Sequence, residues 1–164
     1  MNLKLELRYA VLMSMLMLLW LSLEFLVGLH DTYIQFHPYI TMFSLVIPVV
    51  CSRMVLRDKK EDLNGKISFQ QGLRTGLTVT VMAAFFAIPV QLIFHFLINP
   101  DFFDSMRAYA VNRAMLLNMD VAKAKADAIS YFNLTSYILM SFFGTLVFGS
   151  IIAALMAWRM KTHK

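Results

Sequence analysis

The sequence predicts an all-α integral membrane four-helix bundle, with amphipathic extracytoplasmic helices between spans 3 and 4. Three observations predict it. The 164 residues are 59% hydrophobic and only 15% charged, against about 45–50% and 25% in soluble domains. Mean hydropathy is +0.64. Four segments approach or exceed the roughly 20 apolar residues that a bilayer core about 30 Å thick requires. A disordered chain is excluded, because that state needs low hydrophobicity and many charges. A disulfide scaffold is excluded by the single cysteine. One membrane domain is expected over residues 1–164.

Span 1 is expected at residues 9–29, behind Lys4 and Arg8, with Glu24 inside it. Its apolar run is longer than a signal-peptide core and no small-residue cleavage site follows, so it is read as a retained span. Span 2 is expected at residues 38–56, with Pro48 kinking its middle and Arg53 snorkelling from its last turn. Span 3 is expected at residues 72–98. Asn64-Gly65 marks a turn ahead of it, Ser68 and Gln71 have capping-box spacing, Pro89 should bend it and Asn99-Pro100 should stop it. Span 4 is expected at residues 137–158, followed by Arg159, Lys161 and Lys164. Between spans 3 and 4, residues 100–136 form a helical linker. Phe103, Met106, Ala110, Ala114 and Leu117 recur at helical spacing, and Asp120 is a plausible N-cap for a second, alanine-rich helix. The two helices either lie on the membrane or fold back over the bundle.

Lysine and arginine counts set orientation. Eleven of the fifteen fall at the N-terminus, in the loop between spans 2 and 3, and in the tail; the other four are in the linker. Both termini are therefore expected in the cytoplasm. The net charge of +5 then reflects attraction to anionic lipid. Nucleic-acid binding is not expected, since no basic and aromatic platform accompanies the charge.

Small residues mark close helix contacts in lipid. Gly72, Gly76, Thr80 and Ala84 are four apart on span 3. Ser141, Thr145, Gly149, Ala153 and Ala157 are four apart on span 4. Both stripes are expected to be buried, against each other or, alternatively, in a homodimer. The thirteen methionines are read as packing and lipid-facing residues: Met13, Met15 and Met17 are two apart and diverge on a helix.

The residues with most functional promise gather at the linker end. Glu24 is a carboxylate within a span; His30, Asp31 and His37 lie in or beside the first loop; Gln91, His95 and Asn99 are four apart at the end of span 3. An intramembrane carboxylate is costly and faces the bundle interior. Glu24 could share a proton with a histidine or contact a ligand; alternatively it ties helix ends together. Zinc accepts His and Glu ligands, but the histidines lie on different segments with no tight His-x-x-x-His spacing, so no metal or other cofactor is expected. Cys51 is read as packing. No nucleophile elbow, metalloprotease, P-loop or dinucleotide motif occurs, so no enzyme is expected. Asn133-Leu134-Thr135 fits a glycosylation triplet that is common by chance.

The run Gly65-Lys66-Ile67-Ser68-Phe69-Gln70-Gln71-Gly72, then Gly76, then Ile98-Asn99-Pro100-Asp101-Phe102, and finally Phe143-Gly144-Thr145-Leu146 with Gly149 resembles the bacterial membrane family known as domain of unknown function 4199. The likeness covers about residues 64–161; spans 1 and 2 match in length and hydropathy only. The resemblance implies a four-helix protein of the inner membrane in the Bacteroidota lineage and implies no reaction. Members encoded near glycosyltransferases hint at envelope work. The expected function is a scaffold or accessory subunit of the cell envelope, whose partners are the lipid bilayer and either another membrane protein or a second copy. The alternative is a small oligomeric transporter or channel using the Glu24 and His95 side.

Overall fold

The structure is a computed structural model that describes residues 3–162; Lys164, counted among the tail cations, lies outside them. The described chain is helical, in the order α1 (Lys4–Leu26), a 3-10 turn (Ile34–Phe36), α2 (His37–Ile40), a second 3-10 turn (Thr41–Leu45), α3 (Val46–Asp62), α4 (Phe69–Ile93), a π turn (Phe94–Ile98), α5 (Phe102–Leu116), α6 (Val121–Tyr131) and α7 (Leu134–Met160). Four stretches are long and apolar enough to cross a membrane: Lys4–Leu26, Ile34–Asp62, Phe69–Ile98 and Leu134–Met160. The protein is an all-α membrane bundle, as its hydropathy predicts.

Three helices end in the same way. After α1, Gly28 N–H donates to Phe25 O and Leu29 N–H to Glu24 O. After α3, Asn64 N–H donates to Glu61 O and Gly65 N–H to Lys60 O; after α5, Asn118 N–H donates to Met115 O and Met119 N–H to Ala114 O. Each is a Schellman closure with a left-handed residue (Gly28, Asn64, Asn118) just past the cap. Glycine and asparagine tolerate that backbone best.

These closures move the expected boundaries. The α1 helix starts at Lys4 rather than residue 9, because Lys4 to Arg8 are adequate helix formers. It stops at Leu26 rather than residue 29, because Gly28 closes it. Glu24 therefore lies in the last turn. Span 2 is not one helix kinked at Pro48. Its first part is 3-10 and short α pieces, and Pro48 sits in the first turn of α3, where a missing N–H costs no helical bond. Charge ends the apolar run at residue 56 but does not break the helix, so α3 continues to Asp62 and Arg53 falls well inside it.

Where the sequence carries cap signals, the caps form. Ser68 and Gln71 make the capping box of α4: Gln71 N–H donates to Ser68 Oγ at 3.2 Å and Ser68 N–H donates to Gln71 Oε1 at 2.8 Å. Asp120 caps α6 through Lys123 N–H, and Asn133 of the glycosylation triplet caps α7 through Ser136 N–H. Pro89 is held inside α4, and the helix ends at Asn99 after its π turn. Replacing Ser68 by alanine should lower stability by about 1 kcal/mol; thermal unfolding of purified protein in detergent measures it.

The two small-residue stripes pack against each other in antiparallel register. A Cβ built on Gly72 would lie 3.2 Å from Ala157 Cβ, one on Gly76 would lie 2.7 Å from Ala153 Cβ, and one on Gly149 would lie 2.7 Å from Thr80 Cγ2. Ala84 is also fully buried, whereas Thr145 is only partly so. The stripes are thus occupied within one chain, and homodimerisation through either would have to separate α4 from α7.

The rest of the core divides by depth. At the end carrying the termini, Tyr9, Ala10 and Met13 of α1 pack with Cys51, Val55 and Leu56 of α3 and with Val79 and Ala83 of α4. Cys51 is wholly buried among them. Around this layer Lys59 Nζ donates to Glu6 Oε1 at 3.2 Å, Tyr9 Oη donates to Asp58 at 2.7 Å, and Thr162 N–H donates to Ile67 O. At the opposite end, Ile34, Phe94, Phe102 and Met106 form a second cluster. It folds α5 back over the bundle. The buried face of α5 is Phe102, Met106 and Ala114; Leu117, expected on that face, is exposed because the chain turns away at Asn118.

Candidate functional site

The Schellman closure of α1 does more than end a helix. It turns the chain through Gly28, tucks Leu29 inward and delivers His30 to a buried position 1% exposed. The short α2 then returns His37 to the same place. Both rings face Glu24, itself 2% exposed. Glu24 Oε2 lies 3.6 Å from His30 Nε2 and 3.8 Å from His37 Nε2. Its other oxygen, Oε1, accepts a 2.6 Å hydrogen bond from Trp20 Nε1, one turn earlier on α1.

The end of α4 supplies the remaining polar groups. Gln91 Nε2 donates to Ser141 Oγ of α7 at 2.6 Å, and Gln91 Oε1 lies 2.9 Å from His95 Nε2. With the Gln91 carbonyl oxygen facing it, His95 Nε2 is the donor of this contact, and the buried Nδ1 has no hydrogen-bond partner. The π turn then separates what the four-residue spacing grouped together: Asn99 turns to His30, its Nδ2 3.2 Å from Nδ1. Single π turns recur at functional sites.

Aromatic rings wall the cluster. Phe94 and Phe102 meet the His30 ring edge-on at 5.5 and 4.9 Å, and Phe25 stacks on it at 6.3 Å. Phe103 stacks on His95 at 4.3 Å. Beyond His37 opens a cavity of about 750 Å³, lined mainly by apolar groups but also by Tyr109, Arg113 and Tyr137. A smaller cavity of about 210 Å³ is lined by His37, Gln91, His95 and Ser141.

Six of the seven polar residues singled out from sequence thus come together: Glu24, His30 and His37 as one triplet, Gln91, His95 and Asn99 around it. Asp31 does not join them. It is exposed, and its carboxylate accepts from the Thr32 backbone N–H, which lowers its pKa. The loop turns at Gly28, so His30 and Asp31 point to opposite sides. Sequence reasoning missed Trp20, although its four-residue spacing from Glu24 was available as a signal. Ser141 was read only as a packing residue. The spacing argument against a metal site also loses its force, because the turn at Gly28 and the return through α2 close the distance that separates the histidines along the chain.

A family model described as protein of unknown function (DUF4199) matches residues 8–162. The chain belongs to that family. The match takes in all four spans, including the first two, whose motifs in the sequence are weak. No curated protein and no solved structure matches this DUF4199 chain.

Proposed function

We propose that this DUF4199 protein is a non-enzymatic scaffold or accessory subunit of the bacterial inner membrane, acting in the cell envelope, with both termini cytoplasmic and the α5–α6 linker outside. One observation carries the choice over a transporter or channel. The buried Glu24, histidine and Gln91 groups are confined to the linker end, while Tyr9, Ala10, Met13, Cys51, Val55, Leu56, Val79 and Ala83 pack as an apolar layer at the other end. Secondary transporters typically place polar groups near the midplane on broken helices. Here the irregular backbone (two 3-10 turns, α2 and the π turn) lies on the polar side of that layer.

A surface at the linker supports the accessory reading. Met115, Leu116, Leu117 and Met119 are all more than half exposed at the α5–α6 corner, Leu116 to 83%. Exposed apolar patches of this kind mark contacts with a partner or with lipid. The orientation rests on the cations: the hydrogen bonds between Thr162 and Ile67 and between Lys59 and Glu6 draw both ends of the described chain and the positively charged Arg53–Arg74 stretch, which spans the end of α3 and the start of α4, to one end.

The test is a tagged pull-down from native membranes in mild detergent, with molar-mass determination. A stoichiometric different membrane protein is the expected result, and Leu116→Ser with Leu117→Ser should reduce its recovery at unchanged abundance. A homo-oligomer alone, together with solute flux abolished by Glu24→Gln, would replace this reading with transport.

A further inference from the structure

The Glu24, His30 and His37 triplet has the chemistry of a ligand set rather than of a hydrogen-bond network. Glu24 Oε2 and His30 Nε2 are buried and have no hydrogen-bond partner. Their 3.6 Å separation, like the 3.8 Å from Glu24 to His37, is too long for a hydrogen bond. Among the described residues, the two histidines are the ion-pairing groups beside Glu24. A buried carboxylate needs a counter-charge.

We propose that these three residues bind a first-row divalent transition-metal ion of the zinc class. One donor atom from each lies within 4.8 Å of the others. Tetrahedral zinc with bonds of roughly 2.0–2.2 Å holds its donor atoms roughly 3.3–3.6 Å apart. The two Glu24 distances are at or just above that range. Two imidazoles and one carboxylate suit zinc, and they leave a fourth position for water or an external ligand.

The surroundings match what a bound ion requires. Trp20 fixes the second oxygen of Glu24. Asn99 sits against the far nitrogen of His30; with its amide turned, Asn99 Oδ1 accepts from Nδ1–H and leaves Nε2 free for the metal, the usual support for a ligating histidine. Phe25, Phe94 and Phe102 exclude water around His30. His37, its side chain 16% exposed, borders both cavities and provides an entry route. His95 is outside the ligand set: its Nε2 faces Gln91. The site does not depend on the accessory reading, which a pull-down decides separately.

The experiment uses full-length protein in detergent, with a tag free of histidine, titrated with Co²⁺ and Zn²⁺. Wild type should bind one ion per chain, give the intense visible absorption of tetrahedral Co²⁺, and unfold at higher temperature with Zn²⁺ present. His37→Ala should weaken binding by more than about a hundredfold, beyond the 10–100-fold that loss of a ligand's hydrogen-bond partner costs, and should lose the Zn²⁺-dependent stabilisation. Asn99→Ala should weaken binding within that smaller range. His95→Ala should bind as wild type does. His37 is partly exposed, so its variant folds even where His30→Ala does not. Absence of saturable binding by wild type, or binding that His37→Ala leaves unchanged, would overturn the proposal.

Discussion

Gly76→Leu protein is expected to be nearly absent from membranes, and Gly149→Leu to be strongly depleted. Even the first added carbon at Gly76 would lie 2.7 Å from Ala153 Cβ and 3.3 Å from Ala153 Cα. Overpacking costs about 1–3 kcal/mol where neighbours can shift; at Gly76 the obstacle includes backbone, so α4 and α7 must separate. At Gly149 the obstacle is the Thr80 side chain, with Cγ2 at 2.7 Å and Oγ1 at 2.9 Å. The two sites therefore differ in how they can be rescued. Gly149→Ala should be largely restored by Thr80→Ala, which removes both crowding atoms. Gly76→Ala should need Ala153→Gly instead, and Thr80→Ala should not help it. Membrane abundance and unfolding in denaturing detergent measure all of these, and cross-rescue between the two pairs would contradict the register.

Lys59→Met is the second large effect. Glu6 is 4% exposed and its Oε1 accepts from Lys59 Nζ, while Oε2 has no hydrogen-bond partner. Removing one member of a fully buried ion pair costs about 3–5 kcal/mol; Lys59 keeps 24% of its side chain exposed, so the expected loss is smaller than that. Replacing both by apolar residues is often neutral or stabilising. Lys59→Met alone should therefore lower the unfolding midpoint below wild type, and Lys59→Met with Glu6→Leu should recover most of the loss. If the double variant is no more stable than Lys59→Met, the pair is not the source of the effect.

The two regions differ in how far the sequence reveals them. The glycine and alanine stripes are visible because packing on a helix repeats every four residues. Their mutual register follows from seating each glycine opposite a small partner. The Glu6–Lys59 pair joins residues 53 positions apart, and nothing in either local pattern points to the other. Tyr9 and Asp58 are equally silent in sequence. Span 2 shows the limit of hydropathy: it found the membrane-crossing stretch but not its irregular first half, since apolar composition favours burial without choosing between α and 3-10 geometry.

The polar site divides along the same line. Glu24 stands out because a carboxylate in an apolar run is expensive wherever the helix lies. Gln91, His95 and Asn99 stand out by spacing, although the π turn sends Asn99 to His30 and leaves His95 with Gln91. Composition, the four apolar runs, the cap residues at Ser68 and Asp120, and the small-residue faces were determined by the sequence alone, because each depends on neighbours within one or two helical turns. Only the tertiary structure decided that His30 and His37 meet at Glu24 while Asp31 turns outward. That outcome depends on one left-handed residue, Gly28, and on the return of the chain through α2. Such directional changes accumulate along a loop and leave no periodic trace in the residues that they bring together.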